Sequence, residues 1–357
     1  MDKYLTDSHK LFWHLDKIVD WQKAKPVAPV YVEVSPVSLC NHKCIFCGID
    51  FIRDRDFKLD TALFCKALKE MGRLGVRSVM FAGEGEPLLH KDLKTLIRTA
   101  KSSGMDVSLT TNGSLGNYDI WKEILPSLTW IRFSVDAGNA ESYSRVHMVA
   151  GNIFNKTIKS IEDAVKAKRD LRLDVTIGVQ FLMIEENLDS LEEALGLFSG
   201  IGVDYFSLKP YSLHPQMVNK RDIFYTKRIS ERIRRIIEKF RKKSKMNIIF
   251  RDISMEKYSE KKKQFKHCNA LPFWGYISSR GDFYTCSVFI GDKRFKAGNI
   301  YSKGMSSILF GKKRKQSISY AAKKMDVNKE CRVNCRMARV NEFLEFLEKK
   351  PEHINFI

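Results

Sequence analysis

The sequence lacks long apolar runs: no stretch of about 18 consecutive apolar residues occurs in its 357 residues, which excludes a typical membrane-spanning helix. The start, Met-Asp-Lys-Tyr-Leu-Thr-Asp-Ser, lacks the basic and then apolar order of a secretory signal. Internal repeats and low-complexity tracts are also missing. The sequence therefore predicts a cytosolic, globular protein with one large domain and a smaller one.

Acidic residues are scarce relative to basic ones: 42 Asp and Glu against 62 Lys and Arg give a formal net charge of +20. A field of that sign attracts anions such as phosphorylated sugars, nucleotides, nucleic acids or acidic peptides. Part of the excess lies in residues 220–245, where apolar residues recur at helical spacing, which predicts a solvated amphipathic helix. Aromatic residues are not interleaved there as a base-stacking surface requires. We therefore expect a small anionic substrate and no nucleic-acid partner.

Eight cysteines in a compartment that keeps thiols reduced indicate metal ligation rather than disulfides. Three of them, Cys40, Cys44 and Cys47, form a C-x3-C-x2-C run. Three thiolates can hold three irons of a [4Fe-4S] cube and leave the fourth iron open to a small molecule. A zinc knuckle and a disulfide loop are the alternatives. The spacing argues against both, because structural zinc sites pair two short ligand halves and only His42 lies near this triplet.

Between residue 30 and about residue 210, strand-like apolar runs alternate with helical patterns, which is the order of a parallel sheet or barrel. The predicted strands are 30–34, 78–81, 105–109, 129–135, 173–182 and 205–208, and the predicted helices lie near 59–74, 90–103, 118–126, 155–168 and 186–200. The cysteine triplet follows the first strand. Because ligands gather at the C-terminal ends of parallel strands, we expect the active site there.

Short polar motifs follow the predicted strands. Ala82-Gly-Glu-Gly-Glu-Pro87 comes after the second strand, Thr110-Thr-Asn-Gly113 after the third, and Ser134-Val-Asp-Ala137 ends the fourth. Glycines permit close backbone approach and proline stiffens the exit of a loop, although a plain strand-to-helix turn would explain the first motif alone. Three further candidates follow the fourth and sixth strands, with a surface charge as their alternative role: Arg145, His147 and Lys209.

Together, the triplet and these motifs resemble the signature of the radical S-adenosylmethionine (SAM) superfamily. The resemblance implies a partial (β/α)6 barrel and a [4Fe-4S] cluster whose open iron chelates the amino and carboxylate groups of SAM. It implies that Phe46 flanks the adenine and that the other SAM contacts are Gly83, Glu84, Gly85, Glu86, Pro87, Asn112, Ser134 and Asp136. Glu84 stands where the family has a glycine. Lys209, Arg145 and His147 are the candidate catalytic residues, and a Lys209 with a pKa lowered by burial would serve as a base.

A second cysteine group comprises Cys268, Cys286, Cys331 and Cys335. The first two flank a predicted hairpin with the spacing C-x12-G-x4-C, which resembles the auxiliary-cluster module called SPASM, or twitch in its shorter form. Four cysteines rather than seven imply one auxiliary [4Fe-4S] cluster, fully ligated and suited to electron transfer. Zinc is the competing occupant, although the spacing is unlike that of common zinc ribbons. Cys65 is left over as a packed thiol.

The predicted domains are an N-terminal helix and extended segment (1–29), the partial barrel (30–212), a basic helix and linker (213–262), and a small α+β twitch-like domain (263–357). The N-terminal helix is expected to pack across an open edge of the barrel.

The resemblance implies an oxidoreductase or isomerase that cleaves SAM to a 5′-deoxyadenosyl radical. The radical would abstract hydrogen from a carbohydrate, aminocyclitol or nucleotide-sugar, leading to dehydrogenation, epimerisation or dehydration. In cysteine count and spacing the chain is similar to the twitch-bearing aminocyclitol dehydrogenase of butirosin biosynthesis, and a flavodoxin- or ferredoxin-type donor is implied. The alternatives are a ribosomal-peptide maturase, disfavoured because only 29 residues precede the first strand, and a zinc-stabilised nucleic-acid-binding protein.

Overall fold

A computed structural model describes residues 4, 8–52, 55–221, 226–251, 263–349 and 351–356. Within those ranges no helix is long and apolar enough to cross a membrane. The strands are β1 (Tyr31–Val34), β2 (Ser78–Phe81), β3 (Asp106–Thr111), β4 (Trp130–Ser134), β5 (Thr176–Met183), β6 (Tyr205–Pro210), β7 (Asn247–Phe250), β8 (Trp274–Ile277), β9 (Asp282–Tyr284) and β10 (Lys296–Asn299). They form a single ten-stranded sheet in the order β10-β9-β8-β1-β2-β3-β4-β5-β6-β7.

The helices cover the sheet between the strands and follow the last strand. They are α1 (Leu15–Gln22), α2 (Thr61–Arg73), α3 (Leu93–Ser102), α4 (Tyr118–Ile124), α5 (Ala140–His147), α6 (Asn152–Asp170), α7 (Leu191–Ile201), α8 (Lys227–Arg241), α9 (Met305–Phe310), α10 (Lys312–Lys323), α11 (Val327–Glu330) and α12 (Ala338–Glu348). Their apolar residues face the sheet, as in α2, where Phe64, Leu68 and Met71 are buried and recur at helical spacing. The Asp60 side chain begins this helix by accepting a hydrogen bond from the backbone of Leu63.

Alternate residues of the parallel strands face two different environments. In β4, Ile131 and Phe133 are fully buried in the main apolar core, whereas Trp130, Arg132 and Ser134 are partly exposed on the opposite face. This alternation of residues is expected of a strand that has a layer of helices on one face and the barrel interior on the other. The interior face, called the lumen below, is therefore lined by polar and aromatic side chains.

The strands β1 to β7 are parallel and sequential, which confirms the predicted α/β barrel class. The seventh strand was missed because Asn247–Phe250 is only four residues long and follows the basic helix α8. Its parallel pairing with β6 makes this segment a strand of the sheet, which its short apolar run alone does not indicate. Residues 252–262 of the predicted linker lie outside the described residues.

The hairpin predicted after Cys268 is present and joins the barrel sheet directly. Strand β8 pairs in parallel with β1 and antiparallel with β9, so the C-terminal domain continues the sheet beyond its first strand. That the N-terminal helix packs across an open edge of the barrel stays a prediction. Lys17 of α1 donates hydrogen bonds to the carbonyls of Ala28 and Gly75, which precede β1 and β2, so the helix lies at the N-terminal ends of these strands.

Candidate active site

The cysteines of the first group lie in the loop after β1, at the C-terminal edge of the parallel sheet. Cys40 is exposed, and Cys44 and Cys47 are partly exposed. The backbone N–H of Cys47 donates to the carbonyl of Cys44 at 3.2 Å, which closes a tight turn between these two thiols. The loop therefore places the three cysteines together at this edge of the sheet.

The end of α5 holds this loop in place. Lys43 and Ile45 donate backbone hydrogen bonds to the carbonyls of His147 and Val146, at 3.1 and 3.0 Å. His147 Nδ1 lies 3.0 Å from the Sγ atom of Cys44. Burial lowers the pKa of His147 to about 3, so its ring is neutral. His147 thus lies directly against one of the three candidate ligands.

Asn112, which follows β3, also holds the cysteine loop through side-chain hydrogen bonds. Its Nδ2 donates to Asn41 Oδ1 at 2.8 Å and to His42 Nδ1 at 2.9 Å, while its Oδ1 accepts from the Ser114 backbone at 3.0 Å. The His42 ring then donates from Nε2 to the Tyr143 hydroxyl, and burial lowers the pKa of His42 to about 4. The side-chain amide of Asn112 is therefore engaged with the cysteine loop.

The glycine-rich loop after β2 packs against the same cysteine loop. A Cβ atom on Gly85 would lie 2.0 Å from the carbonyl oxygen of Leu39, so only glycine permits this approach. Glu86 donates its backbone N–H to that carbonyl, and its buried carboxylate accepts from Thr111 Oγ1 and the Asn112 backbone at 2.5 and 2.7 Å. Gly85 and Glu86 therefore join the loops that follow β1, β2 and β3.

Glu84 connects the glycine-rich loop to the C-terminal domain. Its carboxylate accepts hydrogen bonds from the hydroxyls of Tyr276 (3.1 Å) and Ser279, and burial raises the pKa of Glu84. Gly83 adopts a positive φ of 108°, and Pro87 begins a short 3-10 turn. The residue that departs from the family motif thus binds the hairpin that follows β8.

Asp136 is buried just beyond β4 in a left-handed backbone conformation, with a φ of 57°. One carboxylate oxygen accepts a hydrogen bond from the Leu182 backbone, and the other lies 3.7 Å from His147 Nε2. Burial raises the pKa of Asp136 to about 7. Ser134 is partly exposed on the lumen face, and the Phe46 ring lies 5.5 Å from the His147 ring. Three of the predicted residues, His147, Phe46 and Asp136, therefore lie together beside the first cysteine group.

The other two candidate catalytic residues lie in different environments. Lys209 is on the lumen face of β6, where burial and then the neighbouring Arg132 lower the pKa of its amine well below the usual value. Arg145 is half exposed on α5, where it donates to the carbonyl of Glu186 at 2.8 Å and lies 3.5 Å from the Glu141 carboxylate. The structure does not bring Arg145 to the lumen, because these contacts hold it on the outer surface of the helix.

Several lumen residues were not predicted from the sequence. Arg132 of β4 donates to Thr110 Oγ1 at 3.3 Å, and Arg336 forms an ion pair with Glu33 of β1. The Arg336 guanidinium also lies 5.4 Å from the Trp274 ring. Their signal in the sequence is positional: Arg132 and Glu33 alternate with fully buried apolar residues, so a charged side chain within an apolar strand marks the lumen face.

The second cysteine group forms a more enclosed set of thiols. Cys268 and Cys286 are buried, and Cys331 and Cys335 are partly exposed. Burial raises the pKa of Cys268 to about 11 and also raises that of Cys286. A hydrogen bond from Cys331 lowers the pKa of Cys335, so this pair shares one proton.

Four neighbouring thiols of this kind cannot all ionise unless a strongly positive centre joins them, and a [4Fe-4S] cluster meets that requirement. In the described part of the chain, no three His, Cys, Asp or Glu side chains converge on a single metal-ion position. The donor set therefore fits an iron-sulfur cluster.

Asn341 of α12 fastens the second group. Its Oδ1 accepts from the backbone N–H groups of Asn269 and Ala270 at 2.7 and 3.0 Å, and its Nδ2 lies 3.5 Å from Cys268 Sγ. Nδ2 also donates to the Met337 carbonyl at 3.1 Å. One buried amide thus joins the chain around the first and the last cysteine of the group.

Comparison with protein families matches two models to the chain. The radical SAM superfamily model matches residues 34–198, and the iron-sulfur cluster-binding SPASM domain matches residues 268–336. A probable GTP 3′,8-cyclase of Sulfurisphaera tokodaii is 28% identical over 209 residues, which are 58% of this chain and 63% of that protein. A tungsten-containing aldehyde ferredoxin oxidoreductase cofactor-modifying protein of Pyrococcus furiosus is 29% identical over 206 residues, 55% of this chain and 54% of that protein. The match spans less than two thirds of the length of either relative.

Solved structures share the fold over most of the chain. SuiB of Streptococcus suis bound to S-adenosylmethionine has a TM-score of 0.68 and 18% identity, covering 95% of this chain and 79% of that one. Native anSMEcpe with bound AdoMet has a TM-score of 0.59 and 16% identity, covering 90% and 96%. The two domains imply an enzyme that uses SAM, a SAM-binding [4Fe-4S] cluster and auxiliary iron-sulfur ligation in the SPASM domain. The chain belongs to the radical SAM superfamily and carries a C-terminal SPASM domain.

Proposed function

We propose that this enzyme oxidises a small, polar, anionic substrate in the barrel lumen, namely a phosphorylated or nucleotide-linked carbohydrate or an aminocyclitol derivative. The observation that carries the proposal is Lys209, an amine on the lumen face whose pKa is well below its usual value. It is electrostatically coupled both to Asp136, which borders the first cysteine group, and to Arg336, which follows Cys335. A base between the two groups suits the oxidation of an alcohol.

The two cysteine groups have distinct assigned roles. Cys40, Cys44 and Cys47 would hold a cluster that, together with SAM, would supply radical chemistry for hydrogen abstraction, and the second group would hold a cluster that would supply a one-electron redox site. Asn112, Glu86 and the end of α5 keep the first loop in one conformation, as their hydrogen bonds indicate. The chain's contribution is therefore to fix the donors and to orient the substrate between them.

Lys209 is assigned the role of proton acceptor. Conversion of an alcohol to a ketone removes a hydrogen atom, a proton and an electron, and the proton leaves the hydroxyl oxygen. Because burial disfavours the charged ammonium, Lys209 Nζ is available as a neutral base that takes this proton. We therefore expect the reaction rate to rise with pH as Lys209 loses its own proton, through a pKa well below 10.5.

Aromatic and sulfur-containing side chains form an apolar wall of the lumen. Tyr31 and Trp274 lie parallel, with ring centroids 6.4 Å apart and an interplanar angle of 9°. The Tyr31 hydroxyl donates to the sulfur of Met80 at 3.5 Å. This wall would exclude water from one side of a substrate, which protects a reactive carbon while the charged side chains hold its polar groups.

The relatives offer partial support for an anionic substrate. Their descriptions include probable GTP 3′,8-cyclases, and GTP carries a triphosphate, but the matched regions cover only part of each protein. Other neighbours in fold were solved with peptides: SuiB with the precursor peptide SuiA, and anSMEcpe with the Kp18Cys peptide. Their identity of 16–18% supports the fold alone, so peptide modification is the second candidate and becomes an arm of the test.

The test is anaerobic turnover of the reconstituted enzyme with SAM and a chemical reductant in place of a flavodoxin- or ferredoxin-type donor. Sugar phosphates, nucleotide-sugars, aminocyclitols and peptides are supplied separately, and mass spectrometry follows substrates and 5′-deoxyadenosine. We expect one anionic sugar to lose two hydrogen atoms. Formation of 5′-deoxyadenosine with every sugar unchanged, or modification of the peptides alone, would show the proposal to be wrong.

The base is tested with Lys209→Met and with Lys209→Arg, which keeps a positive charge but cannot lose it at working pH. Both variants are expected to lower product formation by about 10²–10⁴-fold, the usual contribution of a general base. Cleavage of SAM without product formation should persist in both. If Lys209→Arg keeps the wild-type rate and its rising pH limb, Lys209 is not the base.

A further inference from the structure

The lumen contains a group of arginines that the proposed chemistry does not use. We propose that Arg132, Arg332 and Arg336 form an anion subsite that binds a phosphate or diphosphate group of the substrate. This inference deepens the proposed function, on which it rests, by naming the substrate's anionic group and the residues that hold it. It assigns the two arginines of the SPASM domain to substrate binding in addition to the domain's role as holder of a cluster.

Arg132 reaches this position from the barrel side. It lies on the lumen face of β4, with its guanidinium 5.3 Å from the Trp130 ring and one Nη2 contact to Thr110 Oγ1 at 3.3 Å. Its Nε atom is buried and has no hydrogen-bond partner in the described part of the chain. A buried donor without an acceptor is costly, so Arg132 retains hydrogen-bonding capacity for a ligand.

Arg332 and Arg336 come from the second cysteine group, where they follow Cys331 and Cys335 in the sequence. Among the described residues, Arg332 Nε is also buried without a hydrogen-bond partner. Arg336 pairs with Glu33, yet its side chain keeps 37% exposure, so one carboxylate does not enclose it. The cysteine loop carrying both arginines also touches the extension of β6, since the Ser212 hydroxyl donates to the Asn334 carbonyl at 3.4 Å.

The positive charges of all three arginines act on Lys209: after burial, which is the largest cause, each of them lowers the pKa of that lysine. Arg251, just after β7, acts on Lys209 in the same direction. Contacts also link two of the arginines across the lumen. Arg132 donates to Thr110 Oγ1, which lies 3.6 Å from the Met80 sulfur. That sulfur accepts from the Tyr31 hydroxyl, and the Tyr31 ring lies parallel to the Trp274 ring, which is 5.4 Å from the Arg336 guanidinium.

The nearby carboxylates leave this positive charge incompletely balanced. Glu33 neutralises Arg336, and Asp136 is directed to the Leu182 backbone and toward His147. Buried or half-buried cations are normally paired with anions. Guanidinium groups bind phosphate through two parallel hydrogen bonds, and a group bearing two or more negative charges matches several arginines better than one carboxylate does.

The basic helix α8 is a different kind of positive surface. Arg232 donates to Asp189 at 3.0 Å, and Lys239 pairs with Glu192, with all four side chains largely exposed. Solvated ion pairs of this kind bind anions weakly and without geometric selectivity. Arg232 therefore supplies a matched control for loss of one positive charge away from the lumen.

The test measures binding of inorganic pyrophosphate, inorganic phosphate and malonate to the anaerobic holoenzyme by calorimetry. Saturating SAM is present, so that the carboxylate site of SAM is filled. We expect pyrophosphate to bind more tightly than malonate. Arg132→Gln and Arg332→Gln should each weaken pyrophosphate binding about tenfold or more, as loss of a charge-assisted contact does, while Arg232→Gln leaves it unchanged. Iron content and the apparent unfolding temperature identify variants that are not folded, and Arg132→Lys and Arg332→Lys then provide milder substitutions.

Three results would overturn the inference: no pyrophosphate binding by the wild type, equal weakening by Arg232→Gln and the lumen variants, or tighter binding of malonate than of pyrophosphate. Failure of the proposed function has a separate signature. In that case pyrophosphate binds and depends on the lumen arginines, yet no phosphorylated substrate is oxidised. The binding and turnover measurements therefore distinguish the two.

Discussion

The two cysteine groups are held in different ways. Cys40, Cys44 and Cys47 occupy a partly exposed loop that the barrel fastens from several sides through backbone carbonyls and the Asn112 amide. Cys268 and Cys286 are buried, and the fourth thiol of their group is hydrogen-bonded to the third. A centre that must accept SAM requires an approach from the cavity, whereas an electron-transfer centre requires insulation and complete ligation.

The second group also does more than enclose a cluster. The residues following Cys331 and Cys335 are arginines, and one of them forms an ion pair with Glu33 of the barrel. The C-terminal domain thereby lines the lumen that the first group faces. We propose a division of roles from this comparison: the barrel positions the radical source, and the C-terminal domain contributes both a redox site and part of the substrate pocket.

Removal of one thiol from each group is the strongest test of this division. Cys44→Ala should abolish SAM cleavage, because the three-thiol set has no spare ligand. Cys286→Ala should retain SAM cleavage and lose the oxidised product, because only the second site is disrupted. Each variant should contain about half of the wild-type iron, since each loses one of two four-iron clusters. Iron and sulfide analysis and quantification of 5′-deoxyadenosine measure these effects.

Cys65 supplies the control for both substitutions. Its thiol lies on α2, 3.3 Å from Thr99 Oγ1 and outside both groups, so Cys65→Ala should retain iron, SAM cleavage and product formation. Equal loss of SAM cleavage in Cys44→Ala and Cys286→Ala would contradict the division of roles.

A smaller effect is expected from Asn341, which fastens the second group. Asn341→Ala removes the acceptor shared by the buried N–H groups of Asn269 and Ala270, and an unsatisfied buried group costs about 1–3 kcal/mol. We expect a lower apparent unfolding temperature and selective loss of auxiliary iron. Asn341→Asp keeps the accepting oxygen and should lose less. Thermal unfolding and iron analysis of the holoenzyme measure the difference, and unchanged iron in Asn341→Ala would show that this amide does not secure the group.

Much of the fold could be predicted because it depends on local patterns. The predicted strand 78–81 coincides with β2, and Gly75 and Gly202, which follow the predicted helices 59–74 and 186–200, adopt the left-handed backbone that commonly ends a helix. Strand β7 and the pairing of β8 with β1 could not be predicted, because both depend on contacts between distant parts of the chain.

The residues of the site also differ in whether local sequence patterns or contacts between distant parts of the chain reveal them. Cysteine spacing indicates donors without a three-dimensional structure, so both groups were found in the sequence. The roles of Glu84 and Glu86 were not, because a motif does not show that a carboxylate is already bound to Ser279 or to the Asn112 backbone. Arg336 was missed for the same reason: it reaches Glu33 only when the C-terminal domain packs on the barrel, 303 residues apart in the chain.

The smallest expected effect comes from Asn112, the counterpart of Asn341 at the first group. Asn112→Ala removes the donor to Asn41 and to the buried His42. Asn41 is exposed, so water replaces that contact and the cost in stability is about 1 kcal/mol. The loop retains its backbone bonds to α5, so iron should remain while SAM binds several-fold more weakly. Titration of SAM cleavage against SAM concentration and thermal unfolding measure the two effects. A loss of stability as large as that of Asn341→Ala would mean that side-chain hydrogen bonds stabilise the first cysteine group as much as they stabilise the buried second group. The two groups would then differ only in the number of cysteines that can bind a cluster.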